Sequence, residues 1–213
     1  MAYAVKELFY TLQGEGARSG RASVFCRFAG CNLWSGREDD RRHAACYFCD
    51  TDFVGTDGPG GGRFRDAAAL ADAIRQQWPA VEGRPVPQGY VVFTGGEPLL
   101  QLDEPLIAAC HGWGFEVAVE TNGTVPAPPG IDWLTVSPKP NSTLVQRRGS
   151  ELKLVFPHEI CPDDVAHLSF QHFFLQPMDG PRLRENTRLA VAYCQAHPQW
   201  RLSLQVHKII GIR

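Results

Sequence analysis

The chain has 213 residues, a net charge of −2 and seven cysteines. This length suits one domain with a substantial core, and we expect residues 1–213 to form a single domain with a small insert. The near-neutral charge excludes a strong electrostatic footprint for nucleic acid, and no apolar run approaches the length that spans a membrane. The first residues lack the basic and apolar regions of a signal peptide, so we expect reduced thiols and a cytoplasmic setting.

Short apolar runs alternate with helical patterns along most of the chain. The runs with the length and composition of buried strands are 24–28, 90–93, 115–119, 133–136, 151–155, 173–175 and 202–206. Helices are predicted at 66–78, 104–111 and 182–197, the last with Leu189, Ala192 and Tyr193 facing inward. This alternation predicts an α/β fold with a parallel sheet. Because a complete eightfold barrel takes about 250 residues, we expect an open, partial β/α barrel.

Polar motifs follow several of the predicted strands. They are Thr94-Gly95-Gly96-Glu97, Glu120-Thr121-Asn122-Gly123, Ser137-Pro138-Lys139 and Gln176-Pro177-Met178-Asp179. In folds of this class the chemistry gathers at the carboxyl ends of the strands. One such motif is typical of a turn, whereas four in succession predict one site lined from several strands.

Three cysteines, Cys31, Cys46 and Cys49, flank a polar segment at 35–45 that is predicted to be a loop. Three thiolates can hold three corners of a cubane iron–sulfur cluster and leave one iron open to another ligand. The same cysteines also fit a zinc site with His43 as the fourth ligand. The Cys-x-x-Cys pair alone fits a redox dithiol. The cysteines by themselves leave these interpretations open.

The cysteines together with the Gly-Gly-Glu-Pro and Glu-Thr-Asn-Gly motifs resemble the radical S-adenosylmethionine superfamily. Within it, the whole chain resembles the 7-carboxy-7-deazaguanine synthase family through Thr11-Leu12-Gln13-Gly14-Glu15-Gly16, Arg27, Asp50-Thr51, Ser137-Pro138-Lys139 and the terminal His207-Lys208. One departure is that the superfamily usually spaces its cysteines Cys-x3-Cys-x2-Cys, whereas fourteen residues separate Cys31 from Cys46 here. The insertion contains no cysteine, so the number of ligands is preserved.

Cys26 is a rival for the first cluster position. Strand alternation places Phe25 and Arg27 on the opposite face from Cys26, which predicts that Cys26 is a buried thiol.

The resemblance implies an open, partial parallel β/α barrel of the radical S-adenosylmethionine type. It also implies a 4Fe–4S cluster on Cys31, Cys46 and Cys49, with S-adenosyl-L-methionine chelating the iron that no cysteine binds. It implies a radical-mediated ring contraction of 6-carboxy-5,6,7,8-tetrahydropterin, with release of ammonia, in queuosine and deazapurine biosynthesis. It also implies Mg²⁺ at Thr51, a homodimer, and an electron donor such as flavodoxin.

The resemblance also implies roles for individual residues. Substrate contacts are expected from Leu12, Gln13, Gly14, Glu15, Arg27 and Thr94. Cofactor contacts are expected from Phe48, Cys49, Asp50, Gly95, Gly96, Glu97, Ser137, Pro138, Lys139, Gln176, Pro177, Met178 and Asp179. Arg27 suits the substrate carboxylate because a guanidinium can bind it with two hydrogen bonds. His207 and Lys208 are expected at the end of the last strand.

Two other functions are compatible with parts of the pattern. An activase that makes glycyl radicals would share the cluster and the Gly-Gly-Glu-Pro motif, but it would need a protein-sized docking surface and no Gln13–Gly16 segment. A zinc-binding interaction module would be colourless and would bind one zinc ion per chain. The many buried strands with polar ends argue against so simple a module.

Overall fold

One continuous sheet organises the computed structural model, which describes residues 2–79 and 88–213. Its strands in this part of the chain are β1 (Tyr3–Leu12), β2 (Ala22–Phe28), β3 (Gly62–Phe64), β4 (Gly89–Gly95), β5 (Phe115–Thr121), β6 (Trp133–Val136), β7 (Arg148–Phe156), β8 (Ser169–Pro177) and β9 (Trp200–Leu202). Their order across the sheet is β3-β1-β2-β4-β5-β6-β7-β8-β9. The two edge strands do not pair, so the sheet stays open.

Strand direction divides the sheet into two parts. From β2 through β9 every neighbouring pair is parallel. At the other edge, β1 is antiparallel to both β2 and β3. The expected open, partial parallel barrel is therefore confirmed, with an antiparallel edge that the sequence patterns did not reveal.

In the described residues, the first four helices cover the outer face of the sheet, and the last one lies on the concave side. They are α1 (Ala67–Gln77), α2 (Glu104–Gly112), α3 (Pro162–Val165), α4 (Leu183–Ala196) and α5 (Val206–Ile210), with short 3₁₀ turns at Gly16–Arg18, Glu38–His43 and Pro98–Leu100. Asp66 begins α1 as its N-cap, because its carboxylate accepts a hydrogen bond from the amide of Ala69 at 2.8 Å. No helix in the described ranges is both long and apolar enough to cross a membrane.

The two faces of the strands carry different side chains. On β2, Val24, Cys26 and Phe28 are fully buried in the core under α1 and α2, whereas Phe25 and Arg27 face the concave side. This alternation follows from the two-residue period of a strand. It confirms Cys26 as a buried core thiol. The concave face is left to line a cavity.

The inward face of α4 differs from the expectation. Leu189 and Ala192 are exposed, while Asn186 and Ala190 are buried. Tyr193 packs partly against the core beneath the helix, as expected. The buried positions recur at helical spacing, but the stripe is rotated from the predicted one. Asn186 belongs to it because its side-chain amide donates to the carbonyl of Met178 at 2.8 Å.

The last predicted strand is also wrong in its extent. Strand β9 ends at Leu202, and the run 202–206 does not continue it. Instead the chain turns and forms α5 from Val206. His207 and Lys208 therefore lie on a short helix and not at a strand end.

Candidate active site

A cavity of about 450 Å³ opens at the carboxyl ends of the parallel strands, on the concave side of the sheet. This volume lies in the range typical of small-molecule sites. The predicted site residues that line it are Leu12, Gln13, Gly14, Glu15, Arg27, Cys31, Cys46, Phe48, Cys49, Asp50, Thr51, Thr94, Gly95, Gly96, Ser137, Lys139, Gln176, Pro177, Met178 and Asp179. Two predicted residues, Glu97 and Pro138, do not line the cavity and are buried.

The three motif cysteines converge on one side of this cavity. Cys49 follows Cys46 in a turn in which the Cys49 amide donates to the Cys46 carbonyl at 3.1 Å. The side-chain interaction with Cys46 lowers the pKa of the Cys49 thiol to about 6, and the same interaction raises the pKa of the Cys46 thiol. The sulfur of Cys31 accepts a hydrogen bond from the Leu33 amide at 3.4 Å, while burial raises its pKa.

This donor set fits a cubane cluster with one open iron. Within residues 2–79 and 88–213, no three His, Cys, Asp or Glu side chains are placed to hold one metal ion. A cubane does not require that arrangement, because each cysteine binds a different iron. His43 does not join the cysteines: it is exposed on the insert, where it accepts a hydrogen bond from Arg42 at 3.1 Å.

The glycine pair after β4 brings this strand end against the first cysteine. A side chain at Gly96 would place its Cβ 2.1 Å from the Gly30 carbonyl oxygen and 2.6 Å from the Cβ of Cys31. Gly95 has a φ of +140°, and a Cβ there would lie 2.3 Å from the carbonyl oxygen of Phe28. The pair is therefore required by the packing of the Cys31 loop as well as by any cofactor.

Glu97 serves the structure in a different way from the one expected. Its carboxylate is completely buried and accepts hydrogen bonds from the amide of Leu99 at 3.0 Å, the hydroxyl of Thr121 at 2.7 Å and the amide of Asn122 at 2.8 Å. Burial raises its pKa in spite of these donors. The carboxylate thus joins the ends of β4 and β5, and contact between Glu97 and the cofactor stays a prediction.

Another part of the cavity wall is built from the segment after β1. Glu15 forms an ion pair with Lys153 of β7 and accepts a hydrogen bond from Gln205 at 3.1 Å. Burial opposes ionisation of Glu15, but Lys153 outweighs it and the pKa of Glu15 is lowered. Gln13 is fixed by two hydrogen bonds: its amide nitrogen donates to Glu120 at 3.0 Å, and its oxygen accepts from the Glu15 amide at 3.0 Å.

Charged residues also connect the rim of the cavity. Lys208 on α5 donates to Asp50 at 2.6 Å and to Asp179 at 2.5 Å. Arg27 lines the cavity and donates through Nε to Glu7 at 2.8 Å. Helix α5 therefore closes one side of the site, with contacts that reach the loop after the third cysteine.

The sequence interpretation missed several residues that line the cavity. Thr135, Lys153 and Gln205 are among them, whereas Glu120 and Asn122 belong to a strand-end motif that was expected at the site but were given no role. A signal for Lys153 was present: Glu151 and Lys153 alternate within an otherwise apolar strand, which places both charges on one face. Gln205 had no comparable signal, because the run around it had the composition of a strand.

Comparisons with known proteins agree with this geometry. No family model matches the chain. The 7-carboxy-7-deazaguanine synthase of Bordetella pertussis is 68% identical over 213 residues, covering 100% of both chains, and that of Caulobacter vibrioides is 61% identical over 213 residues with the same coverage. The crystal structure of QueE from Escherichia coli superimposes with a TM-score of 0.71 at 29% identity, covering 97% of this chain and 95% of that one. The fold is that of a radical S-adenosylmethionine enzyme, and the chain belongs to the 7-carboxy-7-deazaguanine synthase family.

Proposed function

We infer that this protein is a radical S-adenosylmethionine lyase that converts 6-carboxy-5,6,7,8-tetrahydropterin to 7-carboxy-7-deazaguanine with release of ammonia, in queuosine and deazapurine biosynthesis. The observation that carries the proposal is that two sets of residues line one cavity. The first set is Cys31, Cys46 and Cys49, and the second is Gln13 and Glu15. The first suits a cluster with an open iron, and the second suits a ligand rich in hydrogen-bond donors and acceptors.

The part of the cavity wall that contains Cys31, Cys46 and Cys49 is proposed to hold a 4Fe–4S cluster and S-adenosyl-L-methionine. When bound and supplied with one electron by an external donor, this group would provide the means to abstract a hydrogen atom from the substrate. The chain binds and orients the reactants and keeps water out. Lys139 is directed into this wall, where its ammonium donates to the carbonyl of Ser137 at 2.9 Å and to its hydroxyl at 2.6 Å. This placement supports contact between Lys139 and a carboxylate or ribose of the cofactor.

Gln13 and Glu15 are proposed to bind the pterin by hydrogen bonds. Lys153 keeps Glu15 ionised, so Glu15 presents acceptors to the donors on the pterin edge. Gln13 is held in one orientation by Glu120 and by the Glu15 amide, which selects against ligands with a different pattern of donors. Arg27 is proposed to bind the substrate carboxylate.

Mg²⁺ is proposed to bind at Thr51 together with the substrate. Thr51 lines the cavity directly after the third cysteine. A single hydroxyl is a weak site, and Mg²⁺ normally completes its shell with substrate oxygens and water. The ion would therefore join Thr51 to the substrate carboxylate.

Three further features of the enzyme belong to the same proposal. The cluster needs an external electron donor, for which a flavodoxin is a suitable class. A homodimer is proposed from the family. A cytoplasmic location is favoured because all seven cysteines are free thiols.

The proposal is tested by anaerobic reconstitution with iron and sulfide, followed by reduction and addition of S-adenosyl-L-methionine, Mg²⁺ and the pterin. Mass spectrometry is expected to detect the deazaguanine acid, and Cys46→Ala should abolish it. Cofactor cleavage without this product would show that the substrate assignment is wrong. If Gln13→Ala formed the product at the wild-type rate, the proposed role of Gln13 in binding the substrate would be wrong.

A further inference from the structure

The insert between the first and second cysteines, residues 32–45, contains an arginine that holds the other end of the cysteine motif. Arg41 lies in the 3₁₀ turn Glu38–His43. Its Nη1 donates to the carbonyl of Tyr47 at 3.0 Å and to that of Cys49 at 2.8 Å. These two carbonyls belong to the turn that carries the second and third cysteines. One guanidinium nitrogen therefore spans that turn.

The rest of the guanidinium is held by the insert itself. Nε and Nη2 of Arg41 donate to the two carboxylate oxygens of Glu38 at 2.7 and 2.6 Å. The guanidinium also lies over the ring of Trp34, with its carbon 4.1 Å from the ring centroid. A planar, forked donor is needed to bind a carboxylate, an aromatic face and two carbonyls at once.

Trp34 connects this arrangement to the first cysteine. Its side chain is buried, and its Nε1 donates to Asp40 at 2.8 Å. It packs edge-on against Phe53, whose carbonyl accepts a hydrogen bond from the amide of Gly30, the residue before Cys31. The insert thus forms a continuous set of contacts from the Cys31 loop to the Cys46–Cys49 turn.

We propose that Arg41 is a positioning residue for the iron–sulfur ligands: it fixes the turn of Cys46 and Cys49 relative to Cys31 before the cluster is bound. The inference rests on the proposed cluster site. The proposal gives a role to residues 32–45, the insertion by which this cysteine motif differs from the usual spacing. A preformed turn loses less conformational freedom when the cluster assembles, so it favours retention of the cluster.

The test uses the full chain without its cluster, kept reduced and anaerobic, and measures amide hydrogen exchange of residues 46–51 by mass spectrometry. Arg41→Gln is expected to speed exchange there by about tenfold or more, because two hydrogen bonds from a charged donor are lost. In Arg41→Lys the amides of residues 46–51 should exchange almost as fast as in Arg41→Gln, since a point charge cannot replace the forked guanidinium. The neighbouring, exposed Arg42→Gln is the matched control and should exchange as the wild type does.

A second measurement follows the cluster in the reconstituted protein. Its loss to an iron chelator should be several-fold faster in Arg41→Gln than in Arg42→Gln. Glu38→Gln, a substitution at an exposed residue, should speed both local amide exchange and loss of the cluster, but by a smaller amount. This variant keeps the test available if Arg41→Gln does not fold. Equal local exchange in Arg41→Gln and Arg42→Gln would overturn the proposal, as would faster exchange spread evenly over the whole chain. Failure of the wild type to take up iron would instead refute the cluster site.

Discussion

Lys153 and Glu15 lie 138 positions apart in the chain, yet their side chains form an ion pair beside the cavity and are only 7% and 13% exposed. Burial alone would lower the pKa of Lys153, but the carboxylates of Glu120, Glu15 and Glu151 outweigh it and the pKa is raised. Both partners are therefore charged. The pair ties the segment after β1 to the middle of β7 and fixes the wall proposed to bind substrate.

Removing one partner of this pair should be worse than removing both. Lys153→Met keeps most of the side-chain volume but leaves Glu15 buried and unpaired, so we expect a loss of about 3 kcal/mol in the free energy of unfolding. The double variant Glu15→Gln/Lys153→Met should recover part of that loss. Urea unfolding measures both, with the exposed Arg65→Gln as a control expected to change stability by less than about 0.5 kcal/mol. Strictly additive effects would show that the pair is not coupled.

Glu97 is expected to act on stability and not on cofactor contact. Glu97→Gln replaces one acceptor oxygen by a donor that faces the amide and hydroxyl donors around it. We expect a loss of about 1–3 kcal/mol in the free energy of unfolding of the cluster-free protein. Glu159→Gln, at an exposed glutamate, is the matched control. Wild-type stability together with weakened cofactor binding in Glu97→Gln would restore the direct role.

Gly96 should be required even before a cofactor binds. In Gly96→Ala the new methyl group would meet the Gly30 carbonyl oxygen at 2.1 Å and the Cβ of Cys31 at 2.6 Å. The Cys31 loop must move, so we expect lower stability and reduced iron uptake on reconstitution. Gly112→Ala is the control, because a Cβ there meets nothing within 4 Å and its φ is ordinary. Wild-type iron uptake by Gly96→Ala would contradict the close packing of the two loops.

Thr51 offers a test of the proposed Mg²⁺ site. A hydroxyl is the only side-chain ligand that this position supplies, so Thr51→Ala should weaken the stimulation of turnover by Mg²⁺. Thr51→Ser keeps the hydroxyl and should retain most of it. A titration of turnover against Mg²⁺ separates the variants. Identical Mg²⁺ curves for Thr51→Ala and the wild type would place the ion elsewhere.

The fold was predictable from the sequence where burial dictates composition. The central parallel strands are buried on both faces or nearly so, and their apolar runs identified six of them, from β2 to β8. Strand β1 was not identified because a register shift between Val5 and Glu7 interrupts its alternation, so that Val5 lies in the core and Glu7 lines the cavity. The end of β9 was misplaced because Gln205, in a run that resembles a strand, turns to bind Glu15, and α5 begins at the next residue.

The site was predictable from motifs but not from chemistry alone. Almost all the site residues named from the motifs line the cavity, and only Glu97 and Pro138 do not. The role of Glu97 depends on two donors from the end of β5, Thr121 and Asn122, which no local pattern contains. The contact of Arg41 with Tyr47 and Cys49 depends likewise on how the insert folds back. Such partners become visible only when the distances between segments are known.

The most direct measurement is the iron and sulfide content of the anaerobically reconstituted chain and of three single cysteine variants. The wild type should carry about four of each per chain, as a cubane requires, and Cys46→Ala should lose the cluster. Cys26→Ala and Cys110→Ala remove thiols buried in the core and should retain it. Iron retained by Cys46→Ala, or one zinc ion per colourless chain, would contradict the cluster site on which the proposed reaction depends.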